Sequence, residues 1–237
     1  MENNFLNLCC KRFDADFDEI ALLERYPWVG INYSSSDCRV LIIGDSHYAI
    51  DGSGNFSQES YDDFKSDKCS TRGIVTCAIQ DSNSWSMFNG LHRLFQADGL
   101  DDRVSFWSNV AFYNFIQEPM RSINQQPSLE HFAVAWRCLP YIIDILKPGF
   151  CLFIGKRAWM SNSSIKQEGG SCNLYDDSNC VIDRCIPWLA EITTKKGNKV
   201  NAIAIHHTSR YFSHNKWNAY LKTREPEVMS YLMKEKC

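Results

Sequence analysis

Four short apolar runs, each leading into polar residues and separated by segments of helical periodicity, constrain this chain more than any other feature. The clearest run is RVLIIG, Arg39 to Gly44, whose composition is typical of a strand buried on both faces. The other three predicted strands lie in VSFWSNVAFYNFIQ, FCLFIGKRAW and KVNAIAIHHTS. Because strands alternate with helices along the chain, the pattern predicts an α/β fold with a mainly parallel sheet.

Helical periodicity occupies most of the intervals between these runs. We predict helices over residues 13–26 and in SWSMFNGLHRLFQADG, LEHFAVAWRCLPYIIDILKPG, HNKWNAYLK and PEVMSYLMKEK. The polar segment 45–73, rich in Gly and Ser, is predicted to be one long loop. The expected architecture is a three-layer αβα domain around a central, mainly parallel four-stranded sheet, with a single domain spanning residues 1–237.

Composition limits the kinds of partner that this chain can bind. A formal net charge of −3 argues against unspecific coating of duplex DNA but leaves room for a local basic groove. The eleven cysteines include no CxxC pair, and the first residues lack the apolar core of a signal peptide. We therefore expect a cytoplasmic protein with reduced thiols, no membrane span, no metal and no other cofactor.

Polar side chains follow each predicted strand, and parallel sheets bind ligands beyond the carboxyl ends of their strands. If the strands are parallel, these side chains converge on one crevice from distant parts of the sequence. The four groups are Asp45, Ser46, His47 and Tyr48; Asn109 and Asn114; Lys156 and Arg157; and His206, His207, Thr208 and Ser209.

Each group also has a structural interpretation. Asp45 could orient a water molecule or stabilise a developing cation, or it could cap a turn. His206 and His207 are adjacent, so only one can face a crevice from an extended segment. Asn109 could read a base edge or belong to a buried polar network, and Lys156 with Arg157 could contact phosphate or face solvent.

The ordered set of motifs resembles a known family. LIIGDSHYA, SMFNGLHRLF, FWSNVAFYN, LKPGFCLFIGKRAW and IAIHHTSRYFSH occur in the order and approximate spacing of the uracil-DNA glycosylase superfamily. The resemblance covers residues 39–220 and is closest to bacterial members with a Gly-acid-Ser-His-Tyr first motif. Thr208 replaces the proline of the family's second motif.

The resemblance implies a role for each matched residue. Asp45 would orient water and stabilise the sugar cation, and His207 would hydrogen-bond the departing base. Residues implied to bind the base are Gly44, Ser46, His47, Tyr48 and Asn109. Residues expected to contact DNA are Lys156, Arg157, Thr208, Ser209, Arg210, Tyr211 and Phe212.

The implied activity is hydrolysis of the N-glycosidic bond of a flipped uracil or modified base in DNA. Two alternatives stay open at this point. GDSH after a buried strand also resembles the first block of SGNH-type esterases, with Ser46 as nucleophile. A binding protein that senses altered bases without cleaving them is the other alternative.

Overall fold

The computed structural model describes residues 5–81, 85–209 and 211–233 and contains helices around a seven-stranded mixed sheet. The strands are β1 (Trp28–Val29), β2 (Val40–Tyr48), β3 (Val110–Met120), β4 (Phe150–Ile154), β5 (Ser171–Asp176), β6 (Trp188–Thr193) and β7 (Lys199–Ile205). The α-helices are α1 (Asp14–Asp18), α2 (Gln58–Ser66), α3 (Ser70–Gln80), α4 (Ser86–Leu94), α5 (Leu100–Asn109), α6 (Leu129–Leu146), α7 (His214–Arg224) and α8 (Pro226–Met233).

The strand order is β1-β3-β2-β4-β7-β6-β5, and the inner strands β3, β2, β4 and β7 pair in parallel. These contain the four predicted strands, so the α/β class and the parallel centre are confirmed. The prediction of four strands is wrong, because β1, β6 and β5 extend the sheet on its two sides through antiparallel pairs. β1 has two residues, and β5 and β6 are partly exposed, so none of them carries the long apolar run that reveals a central strand.

Alternation along the central strands separates two hydrophobic cores. Leu41 and Ile43 belong to one core, which includes the buried face of α6. Val40 and Ile42 belong to the other core, which includes residues from α3, α4, α5, α7 and α8. A strand with both faces buried reads as a continuous apolar run, which is why β2 was recognisable from sequence.

The predicted helix over residues 13–26 is wrong beyond Asp18, where α1 ends. The Ile20 and Leu23 amides still bond three residues back, but later backbone donors bond to distant parts of the chain. The Arg25 amide donates to Oε1 of Gln117 at 2.8 Å, and the Tyr26 amide donates to the Lys68 carbonyl at 2.8 Å. Tertiary hydrogen bonds therefore override the helical spacing of the apolar residues.

The predicted long loop over 45–73 is also wrong. β2 continues to Tyr48, and the segment then forms α2 and the beginning of α3. Ser57 caps α2, since its hydroxyl accepts from the Ser60 amide at 3.1 Å. The polar composition that suggested a loop reflects a solvent-facing helix, because α2 has no buried residue.

The predicted strand in VSFWSNVAFYNFIQ divides into two elements. Its first part ends α5 at Asn109, and β3 begins at Val110. The helices predicted around α4, α6, α7 and α8 are confirmed, and α6 continues through Pro140. None of the helices in the described ranges is long and apolar enough to cross a membrane.

Candidate functional site

The carboxyl ends of β2, β4 and β7 lie side by side. This end of the sheet is called its carboxyl edge below. Ile43 pairs with Phe153, which pairs with Ala204 on the other side. Two residues further along each strand, this register brings Asp45, Gly155 and His206 to the same level. The Gly155 amide continues the pairing by donating to the Ile205 carbonyl at 3.1 Å. The three strand ends are therefore adjacent, and the convergence of their polar side chains on one crevice stays a prediction.

Asp45 is a half-buried carboxylate without a protein partner. It forms no hydrogen bond and no ion pair with any residue that the structure describes. Burial raises the pKa of Asp45, and the positive charge of Arg157 opposes this shift. A carboxylate with a raised pKa is a stronger base than a solvated one, and Asp45 is free to accept a proton or hold a water molecule.

His207, which follows β7, is held as a neutral imidazole. Its Nδ1 accepts from the Ser209 amide at 3.3 Å and lies 2.8 Å from the Ser209 hydroxyl. Burial, together with the neighbouring His206, lowers the pKa of His207 to about 4. The ring hydrogen therefore lies on Nε2 at neutral pH, and Nε2 has no hydrogen-bond partner in the described part of the chain. It can donate to a ligand.

Gly155 separates Asp45 from His207 at the end of β4. Its φ of 123° is a conformation that favours glycine, and a Cβ atom there would lie 3.7 Å from Cδ2 of His207. β2 and β7 are two strands apart, so their backbones are separated by about 10 Å. Gly155 adds no side chain between the two strands. Ile205 lies in the core opposite to that of Ile43, so continued alternation places His206 on the side of Asp45 and His207 on the other side.

His47 is buried and belongs to a polar network with Asn114 on β3. The amide nitrogen of Asn114 lies 3.2 Å from Nδ1 of His47, and Oγ1 of Thr71 lies 3.0 Å from Nε2. Burial, together with the positive charge of Arg25, lowers the pKa of His47 to about 3. A neutral ring can donate from Nε2 to Thr71 and accept from the Asn114 amide at Nδ1, although the amide nitrogen also lies 3.0 Å from Nε2. His47 therefore supports the site as a packed residue.

Asn114 lies beside Gly44 in the parallel register of β2 and β3. A Cβ atom on Gly44 would be 2.3 Å from Oδ1 of Asn114, so the glycine makes room for the amide. Oδ1 is buried and has no hydrogen-bond partner among the described residues. By strand alternation Asn114 projects to the side of the sheet opposite Asp45, so the two flank the end of β2.

Asn109 lies at the opposite end of the sheet, before the amino end of β3. It is the last residue of α5, where Nδ2 donates to the Ser105 carbonyl at 2.6 Å and Oδ1 accepts from the Tyr231 hydroxyl at 3.1 Å. It precedes β3, and five residues of strand place it about 17 Å from Asn114. The expectation that Asn109 follows a strand is wrong, because it ends α5 and joins α5 to α8. Its role in reading a base stays a prediction.

Ser46 and Tyr48 lie in the last three residues of β2. The Ser46 hydroxyl is buried and has no hydrogen-bond partner in the described ranges. Tyr48 is more exposed, with 36% of its surface accessible, and pairs with Met120. Only the tyrosine is placed to reach a ligand in solvent.

The loop after β7 is fixed at both ends. Thr208 is buried, and its hydroxyl donates to the Met87 carbonyl at 2.7 Å. At the other end, Ser213 donates to Asp183 from its amide at 2.7 Å and from its hydroxyl at 2.6 Å. Both anchors hold the loop against the fold.

Between these anchors the loop exposes one aromatic ring. Tyr211 has a left-handed backbone with φ 49° and is 91% exposed. Phe212 instead stacks on Trp217 with ring centroids 6.0 Å apart, so it packs against the core. The predicted DNA contact Arg210 lies outside the described residues.

Lys156 and Arg157 begin a short 3₁₀ helix, Lys156–Trp159, after β4. The Lys156 ammonium lies 5.5 Å from the centre of the Trp188 ring. Arg157 lies over Phe132 at 5.9 Å and donates to the Pro127 carbonyl at 3.4 Å. Neither forms an ion pair within the described residues, and the positive charge of Arg157 acts on Asp45.

Two cavities are formed elsewhere. One of about 340 Å³ lies between α4 and the loop after β7. The other, of about 290 Å³, lies between the end of β3 and α6. Neither cavity includes Asp45 or His207. The first one includes Ser209, the hydrogen-bond partner of His207.

Within the described residues, no cluster of three or more His, Cys, Asp or Glu side chains could hold a metal ion. A comparison with protein-family models finds no matching model, and a comparison with curated protein sequences finds no significant match. The function must therefore be argued from the geometry of this edge of the sheet.

Proposed function

We propose that this protein hydrolyses the N-glycosidic bond of a uracil or modified base flipped out of DNA, as its resemblance to uracil-DNA glycosylases implies. One observation carries the proposal. An unpartnered, half-buried Asp45 carboxylate and an unpartnered Nε2–H of His207 lie at the carboxyl ends of β2 and β7, the two strands that flank β4. Gly155, which follows β4, carries no side chain at this position.

In this proposal Asp45 acts on the sugar. The bond between sugar and base breaks with positive charge developing on the sugar, and a nearby carboxylate stabilises that charge. Asp45 also holds the attacking water and accepts its proton, for which the raised pKa is favourable. The positive charge of Arg157 opposes the shift and favours the ionised carboxylate.

His207 acts on the base. As the bond breaks, negative charge develops on the departing base, and a neutral Nε2–H donor stabilises it. The contacts of Nδ1 with Ser209 fix this tautomer and the orientation of the ring. Asn114 is the amide at this edge of the sheet, and its unpartnered Oδ1 could accept a hydrogen bond from a base N–H.

The test is release of free base from oligonucleotides that contain uracil, hypoxanthine or a hypermodified base. We expect release from at least one of them, and a loss of about a hundredfold or more in Asp45→Asn and His207→Ala. Asp51→Asn is the matched control, since Asp51 is exposed and bonds only within its own turn. No release from any substrate by the folded wild-type protein would contradict the proposal.

Ester hydrolysis and oligonucleotide binding test the two alternatives. An esterase would need a base beside Ser46, but the Ser46 hydroxyl has no hydrogen-bond partner in the described residues. Hydrolysis of a simple ester that is lost in Ser46→Ala would nevertheless favour that activity. Tight binding of a modified oligonucleotide without turnover would favour a sensor.

A further inference from the structure

β5 is the outermost strand on one side of the sheet, and its outer side is open. It pairs with β6 along all six of its residues without a register shift, and it has no other partner strand in the described part of the chain. Proteins commonly protect an outermost strand with proline, lysine, a bulge or a short length. β5 reads SCNLYD and has none of these features. Its backbone is therefore able to pair with a further strand.

The other side of the sheet is closed. Its outermost strand, β1, has two residues, and both are buried. The segment before α1 runs alongside it, since the Cys10 amide donates to the Val29 carbonyl at 2.7 Å and Cys9 forms an antiparallel bridge with Gly30. The contrast leaves β5 as the strand at which this sheet can be extended.

The hydrogen-bond pattern shows which backbone groups of β5 point outward. The Asp177 amide donates to the Pro187 carbonyl at 3.0 Å, which continues the β5–β6 register by one residue. In an antiparallel pair, hydrogen-bonded and non-hydrogen-bonded positions alternate along each strand. Every second residue of β5 therefore directs its N–H and C=O groups away from β6, and these residues are Cys172, Leu174 and Asp176.

We propose that β5 pairs with β5 of a second copy of this chain, antiparallel and across a two-fold axis at Leu174, so that one sheet runs through both copies. In this register Leu174 faces its own counterpart, and Cys172 faces Asp176 of the partner subunit. All three outward residues then exchange hydrogen bonds across the axis. An axis at Asn173 or at Tyr175 would leave one of them facing a residue outside β5.

The side chains of β5 are complementary to themselves in this register. Cys172 and Leu174 pack against the core that includes α6, so Asn173 and Tyr175 project from the other face of the sheet. Across the axis, Asn173 faces Tyr175 of the partner subunit, and the two leucines at the centre lie side by side. The one charged residue of the strand, Asp176, faces a cysteine, so no like charges oppose each other. This fit favours a second copy over a foreign strand, because an isologous interface uses one surface twice.

The inference is independent of the proposed hydrolysis. The carboxyl edge is formed by β2, β4 and β7, and β6 separates β5 from β7. Pairing through β5 therefore leaves the proposed site within each copy. Oligomeric state is also measured without base release, so failure of one proposal does not imply failure of the other.

The first experiment measures the mass of the full chain by light scattering after size-exclusion chromatography, over a series of concentrations. We expect the mass to approach twice the 27.3 kDa of one chain as the concentration rises. The mass of a single chain at every concentration would overturn the inference and would leave β5 to an extended segment of another protein.

Paired charges test the register. Asn173→Lys combined with Tyr175→Lys places lysines opposite each other across the axis, so the dissociation constant of the dimer should rise about fivefold or more. Asn173→Lys combined with Tyr175→Glu instead places a lysine opposite a glutamate and should restore a dissociation constant near that of the wild type. Ile31→Lys combined with Ile123→Lys adds the same charge at exposed positions elsewhere and should leave dimerisation unchanged.

The two variants at positions 173 and 175 change the same exposed residues, so a difference between them reports on the facing copy. Equal dissociation constants for these two variants would overturn the inference even if the wild type is a dimer, because the interface would then lie elsewhere. Thermal unfolding of each variant checks that the substituted proteins are folded.

Discussion

The side-chain oxygen of Asn114 lies 2.3 Å from the point that a Cβ atom on Gly44 would occupy. The glycine at the end of the buried run in β2 is therefore required by the amide on β3. Because the same amide contacts His47, a change at Gly44 displaces a buried polar network as well as one side chain.

Gly44→Ala is expected to lower the free energy of unfolding by about 1–3 kcal/mol, since the added methyl group overpacks the space held by Asn114. Base release should also fall. Gly52→Ala is the matched control, because a Cβ atom there has no neighbour within 4 Å. Chemical unfolding and base-release rates measure both effects, and equal stability of the two variants would contradict the prediction.

Gly155→Ala is expected to cost about 1–3 kcal/mol of stability through backbone strain, because its φ is 123°. It should also slow base release, since the new methyl group lies against His207. Gly197, with φ 84° and open surroundings, provides a control for strain alone. Gly197→Ala should lose stability without losing activity per folded molecule. Equal activity in the two variants would show that the space beside His207 is not needed.

Asn114 and Asn109 are distinguished by paired alanine variants. Asn114→Ala should reduce base release strongly, because the amide at the edge of the proposed site is removed. Asn109→Ala should leave the rate per folded molecule unchanged while lowering stability by about 1–3 kcal/mol, because it removes contacts with Ser105 and Tyr231. The reverse pattern of activities would restore Asn109 to the site.

The pH dependence of base release should depend on Arg157. Release requires ionised Asp45 in our proposal, so the rate should fall as pH decreases through the raised pKa of this carboxyl group. Arg157→Gln removes a charge that favours the ionised form, and the acidic limb of the profile should move to higher pH. Lys196→Gln, a distant charge change, should leave the profile in place. A profile unmoved by Arg157→Gln would exclude this coupling.

Stability should decrease in mild acid. Burial lowers the pKa of His47 to about 3 and that of His207 to about 4, from an ordinary value of 6.5. As pH falls below about 6.5, the unfolded chain takes up protons that the folded protein excludes, so the free energy of unfolding falls. Above this pH the contribution is fully present.

Urea unfolding across this pH range measures the effect. In His47→Gln the decline between about pH 6.5 and 4 should be shallower, because one group no longer titrates differently in the two states. The variant will be less stable at neutral pH, so the slope is the diagnostic quantity. Parallel curves for variant and wild type would show that His47 does not contribute to the pH dependence of the free energy of unfolding.

Short-range patterns in the sequence determined the centre of the fold. The run that forms β2 is apolar on both faces, and the runs of β4 and β7 end at glycine or at paired histidines. Such a strand lies in the middle of a sheet whatever its neighbours are, so its position and the polar residues after it could be predicted. The same holds for α6, whose apolar stripe, serine cap and terminal Pro-Gly are local features.

Only the tertiary structure decided which polar residues lie together at the carboxyl ends of the central strands. Asn109 and Asn114 are five residues apart, and the end of α5 between them places one at each edge of the sheet. His47 is buried because Thr71, Asn114 and Phe64 from three other elements enclose it. Contacts of this kind depend on packing between distant segments. The periodicity of a single segment therefore cannot reveal them, and the same reason explains why the helix predicted past Asp18 does not form.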